Sequence, residues 1–451
     1  RFEAWLQSGE KEMPSSLRIL MRDESRNYEE LATDYAQAGN WEDALAVVNA
    51  ALTNISAPST MLLYYKAWFL CRMNQQDEAV CVVSQAENSP LDEYFPNSLE
   101  AILALQCVTN LPIHAPKAFY LLGNIWYDKR QYQEAVDAWE HSKEMDNGFP
   151  TVLRNLSLAY FNKLGKKKEA VQLLEQAFML DETDARILME LDQLYKRMDY
   201  SPKERLHLLN KHKEIIATRD DLYLEYATLL NLTGEYEQAM QLIDQRQFHP
   251  WEGGEGKVPA QYQYARIQLA KKSLKAGEYE HALALIEECF VYPHHLGEGK
   301  LYGAQENDFL YYKGCILEAM GNHDEAHSSF TKAASGNGQP TAAMYYNDQK
   351  PDKIYYQGLA LRKVGKEAEA RGRFNSLISY GEKHLYDTFV MDYFAVSLPD
   401  LQIWEDDMNK KNRIHCHYLM GLGHLGLDNK EKADKCFSYI KEINPNFQIW
   451  I

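Results

Sequence analysis

Apolar positions along this chain fall at helical spacing, and the same short pattern returns again and again. A Gly is followed five residues later by an Ala at Gly39/Ala44, Gly165/Ala170, Gly234/Ala239, Gly277/Ala282, Gly321/Ala326 and Gly365/Ala370. Behind the Ala, a bulky apolar residue follows at +4 and a small or apolar one at +7, as in Ala170–Leu174–Ala177, Ala282–Ile286–Cys289, Ala326–Phe330–Ala333 and Ala433–Phe437–Ile440. Positions i, i+4 and i+7 share one helical face, and the Gly stands where a preceding helix needs a left-handed terminator. Each unit therefore reads as helix, turn, helix. An isolated pair of that kind cannot bury its apolar stripe, so successive pairs must cover one another.

The upstream helices carry Leu122-Gly123 with Trp126, and Gly314 with Leu317. With Gly123, Tyr132, Ala135 and Trp139 in one copy, and Ala433, Phe437 and Pro445 in the last, the unit resembles the tetratricopeptide repeat. The resemblance implies an all-α fold, a TPR-like α-α superhelix of about nine or ten antiparallel helix pairs. Arg205 takes the Ala slot of the copy around 185–217, with Pro202 in the first turn of its second helix. A larger side chain in that slot is expected to overpack by roughly 1–3 kcal/mol. Ala79 and Ala135 lie 56 apart, which predicts an extra helix near 97–108.

The repeat period changes along the chain. Ala44 to Ala79 and Ala135 to Ala170 are each 35 residues; from Ala239 the steps become 43, 44, 44 and 63. The reading is that helices keep their length and the added residues lie between pairs, at about 247–262, 291–308, 335–353 and 380–412, all emerging along one edge. Three regions follow: a lead-in at 1–26, regular and degenerate repeats at 27–246, and long-loop repeats at 247–451. The inserts read HPWEGGEGKVPAQY, YPHHLGEGKLYGAQEND, YYNDQKPD and DYFAVSLPDLQIWEDD. They mix aromatics with carboxylates, unlike flexible tethers, and are expected to pack on one another.

The words Trp251-Glu252-Gly253-Gly254-Glu255-Gly256-Lys257, Leu296-Gly297-Glu298-Gly299-Lys300, Tyr345-Tyr346-Asn347-Asp348 and Asp392 to Asp400 carry a second resemblance. Residues from about 247 to 425 are similar to the C-terminal repeat region of a bacterial family whose repeats follow a large β-rich domain, often in carbohydrate-utilisation settings. The resemblance implies a β-rich partner domain in the same longer chain. A start at Arg1 without an initiator Met fits an excised or processed piece; a cytoplasmic setting is favoured, with a removed leader the alternative.

Charge narrows the partners. The formal net charge of −17 over 451 residues argues against nucleic acid and anionic membrane surfaces, leaving protein faces, basic peptides and neutral ligands such as carbohydrate. Seven scattered cysteines without C-x-x-C imply no disulfide framework. No cofactor or metal is expected. The Gly-Glu-Gly-Lys words lack the first Gly and the final hydroxyl of a phosphate loop. His415 and His417 stand two apart, on different sides of a helix.

Two surfaces are candidates for ligand binding. The loop edge offers Trp251, Glu252, Glu255, Glu298, Tyr345, Tyr346, Asp348, Asp392 and Trp404. The concave groove offers Tyr64, Trp68, Tyr120, Asn124, Tyr127, Tyr264, Tyr311 and Tyr355, aromatic anchors by type. The bland reading is capping and loop salt bridges for the carboxylates and interhelical packing for the aromatics. The leading expectation is a non-enzymatic interaction scaffold. The alternative is an accessory or catalytic part of a glycoside hydrolase, with two loop carboxylates at catalytic spacing and aromatics stacked on sugar rings.

Overall fold

The computed structural model describes residues 2–8, 13–91, 94–342, 348–389 and 403–451, with the backbone alone at 6 and 7. Among these there are 24 α-helices, one short 3-10 turn and no strand. The fold is all-α and of the tetratricopeptide type, with antiparallel helix pairs stacked in sequence. The chain divides into two compact units, Arg1–Asp181 and Glu182–Ile451, whereas the repeat period changes farther on, after Ala239.

The repeat positions show why the pairs form. Ala44, Ala79, Ala135, Ala170, Ala239, Ala282, Ala326, Ala370 and Ala433 are all buried. Facing them, the first helix presents Gly to an aromatic ring sixteen residues later. A Cβ on Gly123 would meet Trp139 at 2.4 Å, on Gly314 would meet Phe330 at 2.5 Å, and on Gly358 would meet Phe374 at 2.4 Å. Ring and hydrogen are thus complementary shapes, and close packing leaves no room for a methyl.

The first unit holds four pairs, Ser25–Gln37 with Trp41–Asn54, Thr60–Arg72 with Gln76–Asn88, Pro116–Asp128 with Tyr132–Met145, and Pro150–Asn162 with Lys167–Leu180. Between the second and third lies the unpaired helix Leu99–Thr109, which packs on both Thr60–Arg72 and Pro116–Asp128. Ahead of the pairs, helices Phe2–Ser8 and Ser15–Met21 bury Phe2, Trp5, Leu17 and Met21 against the same core.

The second unit holds six pairs: Ala185–Arg197 with Pro202–Asn210, Asp220–Thr233 with Tyr236–Asp244, Lys257–Ala276 with Tyr279–Glu288, Asn307–Ala319 with His323–Ala333, Pro351–Lys363 with Glu367–His384, and Met408–Gly426 with Lys430–Ile443. One expectation needs correcting here. The longer period is not all loop, because Lys257–Ala276 has 20 residues, Glu367–His384 has 18 and Met408–Gly426 has 19, against 13 in Pro116–Asp128. The first and last inserts wind partly into helix, whereas Asn307–Ala319 and Pro351–Lys363, after the second and third, keep 13 residues.

This unit closes on itself. The Trp404 indole, fully buried, donates its Nε1 hydrogen to the Glu190 carbonyl at 3.0 Å. Arg197 meets Asp406 at 3.1 Å, and Lys410 meets Asp199 at 2.7 Å. Residues around the last pair thereby grip the first. Past Ile443 the chain leaves its helix and runs back across the unit without further secondary structure.

Candidate functional site

The segment 444–451 occupies the face lined by the first helices of the second unit. Its first anchor is Asn446, which is buried. The Asn446 amide donates to the Tyr200 carbonyl at 2.8 Å and accepts from Arg205 Nη1 at 2.8 Å. Arg205 stands four residues past its N-cap Ser201, in the slot that small Ala fills elsewhere. It does not overpack as expected. The buried guanidinium is held by Asp192 of the paired helix at 2.5 and 3.0 Å and by Glu225 of the next pair at 2.6 Å. Burial opposes ionisation of Glu225, yet the Lys196 and Arg205 charges hold its carboxyl well below the usual range.

Beyond Asn446 the contacts alternate from residue to residue. Gln448 exchanges amide hydrogen bonds with Gln261 at 2.8 and 3.2 Å, and Gln261 is itself fixed by the buried Asn231 amide at 2.9 Å. Trp450 lies edge-on to Tyr264 with ring centroids 4.9 Å apart. Phe447, Ile449 and Ile451 pack instead on the apolar cluster of Tyr355, Tyr356, Phe374 and Tyr418. A two-residue alternation belongs to an extended chain.

The backbone of the segment is bound as well as its side chains. Tyr264 donates its hydroxyl hydrogen to the Ile449 carbonyl at 3.3 Å, and Tyr356 does the same to the Trp450 carbonyl at 3.3 Å. The Trp450 N–H donates to the Tyr418 hydroxyl oxygen at 3.2 Å. Burial raises Tyr264, Tyr356 and Tyr418 above the ordinary phenol range, so all three stay neutral hydroxyls, the first two donating and the third accepting. Satisfying main-chain groups in this way holds any extended peptide; the amides and ring add preference for sequence.

The predicted groove residues divide between the units. In the second, Tyr264 touches the segment directly, while Tyr311 and Tyr355 pack around Tyr356 at 5.6 and 5.4 Å and shape the surface behind it. In the first, Tyr64 is buried and donates to Glu87 at 2.8 Å, and Trp68 lies edge-on to Trp41. Tyr120 packs on Phe149, Tyr127 on Trp139, and the Asn124 carbonyl oxygen accepts from Trp139 Nε1 at 3.2 Å. Gln261, Tyr356 and Tyr418 went unnoticed in the sequence, and Arg205 was noticed only as an exception to the Ala slot. Their signal was there: after Pro445 the run Asn446-Phe447-Gln448-Ile449-Trp450-Ile451 switches from helical to two-residue alternation.

The loop edge is organised around its glycines. The Phe248 N–H donates to the His295 carbonyl at 2.8 Å, bringing the first two inserts together. Gly297 has φ +75°, and a Cβ there would strike the Phe248 carbonyl oxygen at 2.7 Å, so both conformation and space demand glycine. Glu298 accepts from the Gly256 N–H at 2.8 Å at the start of helix Lys257–Ala276. Burial raises its carboxyl above the usual range, the Gly256 N–H opposes that, and the Glu255 charge adds to it. Trp251 is half-buried with its ring over Gly254, while Glu252 and Glu255 are exposed. Lys300 pairs with Glu306 and donates to the Phe290 carbonyl.

Asp348 is half-buried, and its carbonyl accepts from Gln305 at 3.1 Å, joining the second and third inserts. Tyr345, Tyr346 and Asp392 lie outside the described residues. Trp404 has no face left for a sugar ring, because it is fully buried at the closure. Among the described residues no group of three His, Cys, Asp or Glu side chains could hold a metal ion. His415 spends its Nε2 on the Thr341 carbonyl at 2.8 Å, and His417 packs against Tyr439 with the rings tilted by 38°. No helix of the described residues is long and apolar enough to cross a membrane.

Residues 152–184 match the family model of the tetratricopeptide repeat. That stretch is the helix pair Pro150–Asn162 and Lys167–Leu180, with Ala170 in its slot. Solved structures to which the chain is similar include a tetratricopeptide repeat protein from Parabacteroides merdae, at 15% identity over 67% of this chain and 98% of that one, with a TM-score of 0.29. YrrB, a TPR protein with an unusual peptide-binding site, is 13% identical over 51% of this chain and 98% of its own, at a TM-score of 0.31. Naa15/Naa10 bound to HypK-THB is 11% identical over 93% of this chain and 64% of that one, at a TM-score of 0.33.

Proposed function

We propose that this chain is a tetratricopeptide-type scaffold for protein–protein or inter-domain interaction, and that the first-helix face of its second unit is a peptide-binding surface. The observation that carries this is the set of three tyrosine hydroxyls, Tyr264, Tyr356 and Tyr418, directed at main-chain groups of residues 449 and 450. Hydroxyls arranged to satisfy a backbone serve recognition of a chain rather than chemistry on it. The test is to pan a random peptide library against the full chain carrying Asn446→Ala and Trp450→Ala, with the tyrosines intact. Enrichment of peptides whose binding is abolished by Tyr264→Phe together with Tyr418→Phe supports the reading. A library in which nothing is enriched, on a variant that keeps its helical signal, sinks it.

The loop edge is the second interaction surface in this proposal. Exposed Glu252 and Glu255 beside half-exposed Trp251 give it a polar rim and an aromatic anchor. Its occupant in this reading is the β-rich domain implied by the resemblance of the long-loop words. Separately made domain and chain should copurify, and Trp251→Ala with Glu255→Lys should part them; no association at high concentration refutes this surface.

A further inference from the structure

We infer that segment 444–451 is an internal ligand of the peptide surface just proposed, and that the surface takes in trans an extended segment of the same chemistry: Asn, apolar, Gln, apolar, aromatic, apolar. The inference rests on the interaction reading and deepens it by naming the ligand. Three features separate a ligand from mere filler. The amides of Asn446 and Gln448 are each met by a partner that is itself fixed, Arg205 by Asp192 and Gln261 by Asn231, so the receptor side is built to point at them. Main-chain groups of Ile449 and Trp450 are bound independently of side-chain identity. And Phe447, Ile449, Trp450 and Ile451 are each half-buried rather than sealed in, as a seated peptide is.

The closure is of a kind that can open. Beside buried Trp404 and Asn446, it includes ion pairs with solvent access, Arg197–Asp406 and Lys410–Asp199. Tethered next to its own site, the segment has a high effective concentration and blocks a free peptide of equal affinity. A competing partner must therefore match the pattern better, or first draw the segment away.

The experiment uses a fluorescent peptide of sequence Asn444 to Ile451 and two forms of the full chain, native and Asn446→Ala/Trp450→Ala. Anisotropy should show the peptide binding the variant at least about tenfold more tightly than the native chain. The same peptide with Asn446, Gln448 and Trp450 replaced by Ala should not bind. Equal affinity for both forms, or no binding to a variant of unchanged helical signal, overturns the inference. A native chain that elutes as a dimer and becomes monomeric in the variant also overturns it, since the segment would then serve a second copy. Hydrogen exchange on the native chain covers the case of a variant that fails to fold. Protection of the Trp450 amide that Tyr418→Phe removes is expected, and an amide unprotected from the start counts against the proposal. If the library above yields binders while this peptide does not bind, the interaction surface stands and the internal ligand falls.

Discussion

Arg205 and Asn446 lie 241 residues apart in the chain and 2.8 Å apart in the fold. The slot that Ala fills in other repeats is here given to a buried guanidinium, and its third ligand comes from beyond the last helix. A degenerate repeat is thus the point at which the second unit is clasped.

Replacing Arg205 by Met should destabilise the second unit by about 3–5 kcal/mol, because Asp192 is left as a buried charge without a partner. The loss should shrink as pH is lowered, since an unpaired buried carboxyl prefers its neutral form. Arg205→Met with Asp192→Leu should recover most of it. Asn446→Ala, which leaves one guanidinium hydrogen unmet, should cost about 1–3 kcal/mol. Urea unfolding at two pH values measures all four. Equal losses for Arg205→Met and the double variant would show that the ionic network is not what the arginine supplies.

Gly358 tests the ring-and-glycine complementarity. A methyl at this position would stand 2.4 Å from the Phe374 ring, so Gly358→Ala should cost about 1–3 kcal/mol despite the better helix propensity of Ala. Trimming the ring with Phe374→Leu costs stability alone but should make Gly358→Ala nearly neutral in its presence. A double-mutant cycle with a coupling energy near zero would refute the argument. Gly277→Ala makes the contrast, because nothing lies within 4 Å of its Cβ and any cost there comes from φ +82° alone.

These positions also show how much of the molecule could be read in advance. Ala170, Ala282 and Gly314 were legible because each is set by neighbours within its own helix pair, at a fixed spacing. The helix Leu99–Thr109 was legible as an irregular step in that spacing. Trp404 was misplaced at a ligand edge because its partner, the Glu190 carbonyl, is remote in sequence, and an aromatic in a loop looks alike whether it stacks or plugs. Arg205 was read as a defect for the same reason, its compensating contacts being with Glu225 and Asn446. The inserts were taken as loop throughout because turn residues dominate their first halves, although residues from Lys257 onward join a 20-residue helix.

Glu298 carries the third prediction. Its carboxylate accepts the Gly256 N–H that begins helix Lys257–Ala276, so Glu298→Ala should cost about 1 kcal/mol, as loss of a cap does. Glu298→Gln keeps an acceptor and should cost less. Hydrogen exchange read by mass spectrometry should place the loss at residues 256–260. A glycosidase-type acid would behave otherwise: Glu298→Gln would leave stability alone and abolish cleavage of a glycoside.

Three histidines on helix Met408–Gly426 set the response to acid. Burial lowers His415 below the ordinary imidazole range, opposed by the Thr341 carbonyl and the Asp348 charge; burial also lowers His417 and His424. A base whose folded-state value is depressed is held neutral by the fold. The stability it permits is therefore complete above the unfolded value of about 6.5 and is lost as pH falls from there through the folded value. Exchange of amides in this helix should quicken between about pH 7 and pH 5 relative to the intrinsic rate, before carboxylates held low begin to protonate. His415→Gln can still donate to the Thr341 carbonyl at 2.8 Å but cannot take up a proton. It should flatten that dependence, and His415→Gln with His417→Gln should flatten it further. An unchanged slope in the double variant would mean that the acid sensitivity of this helix arises from groups outside it, and that burial of these rings is without consequence for the fold.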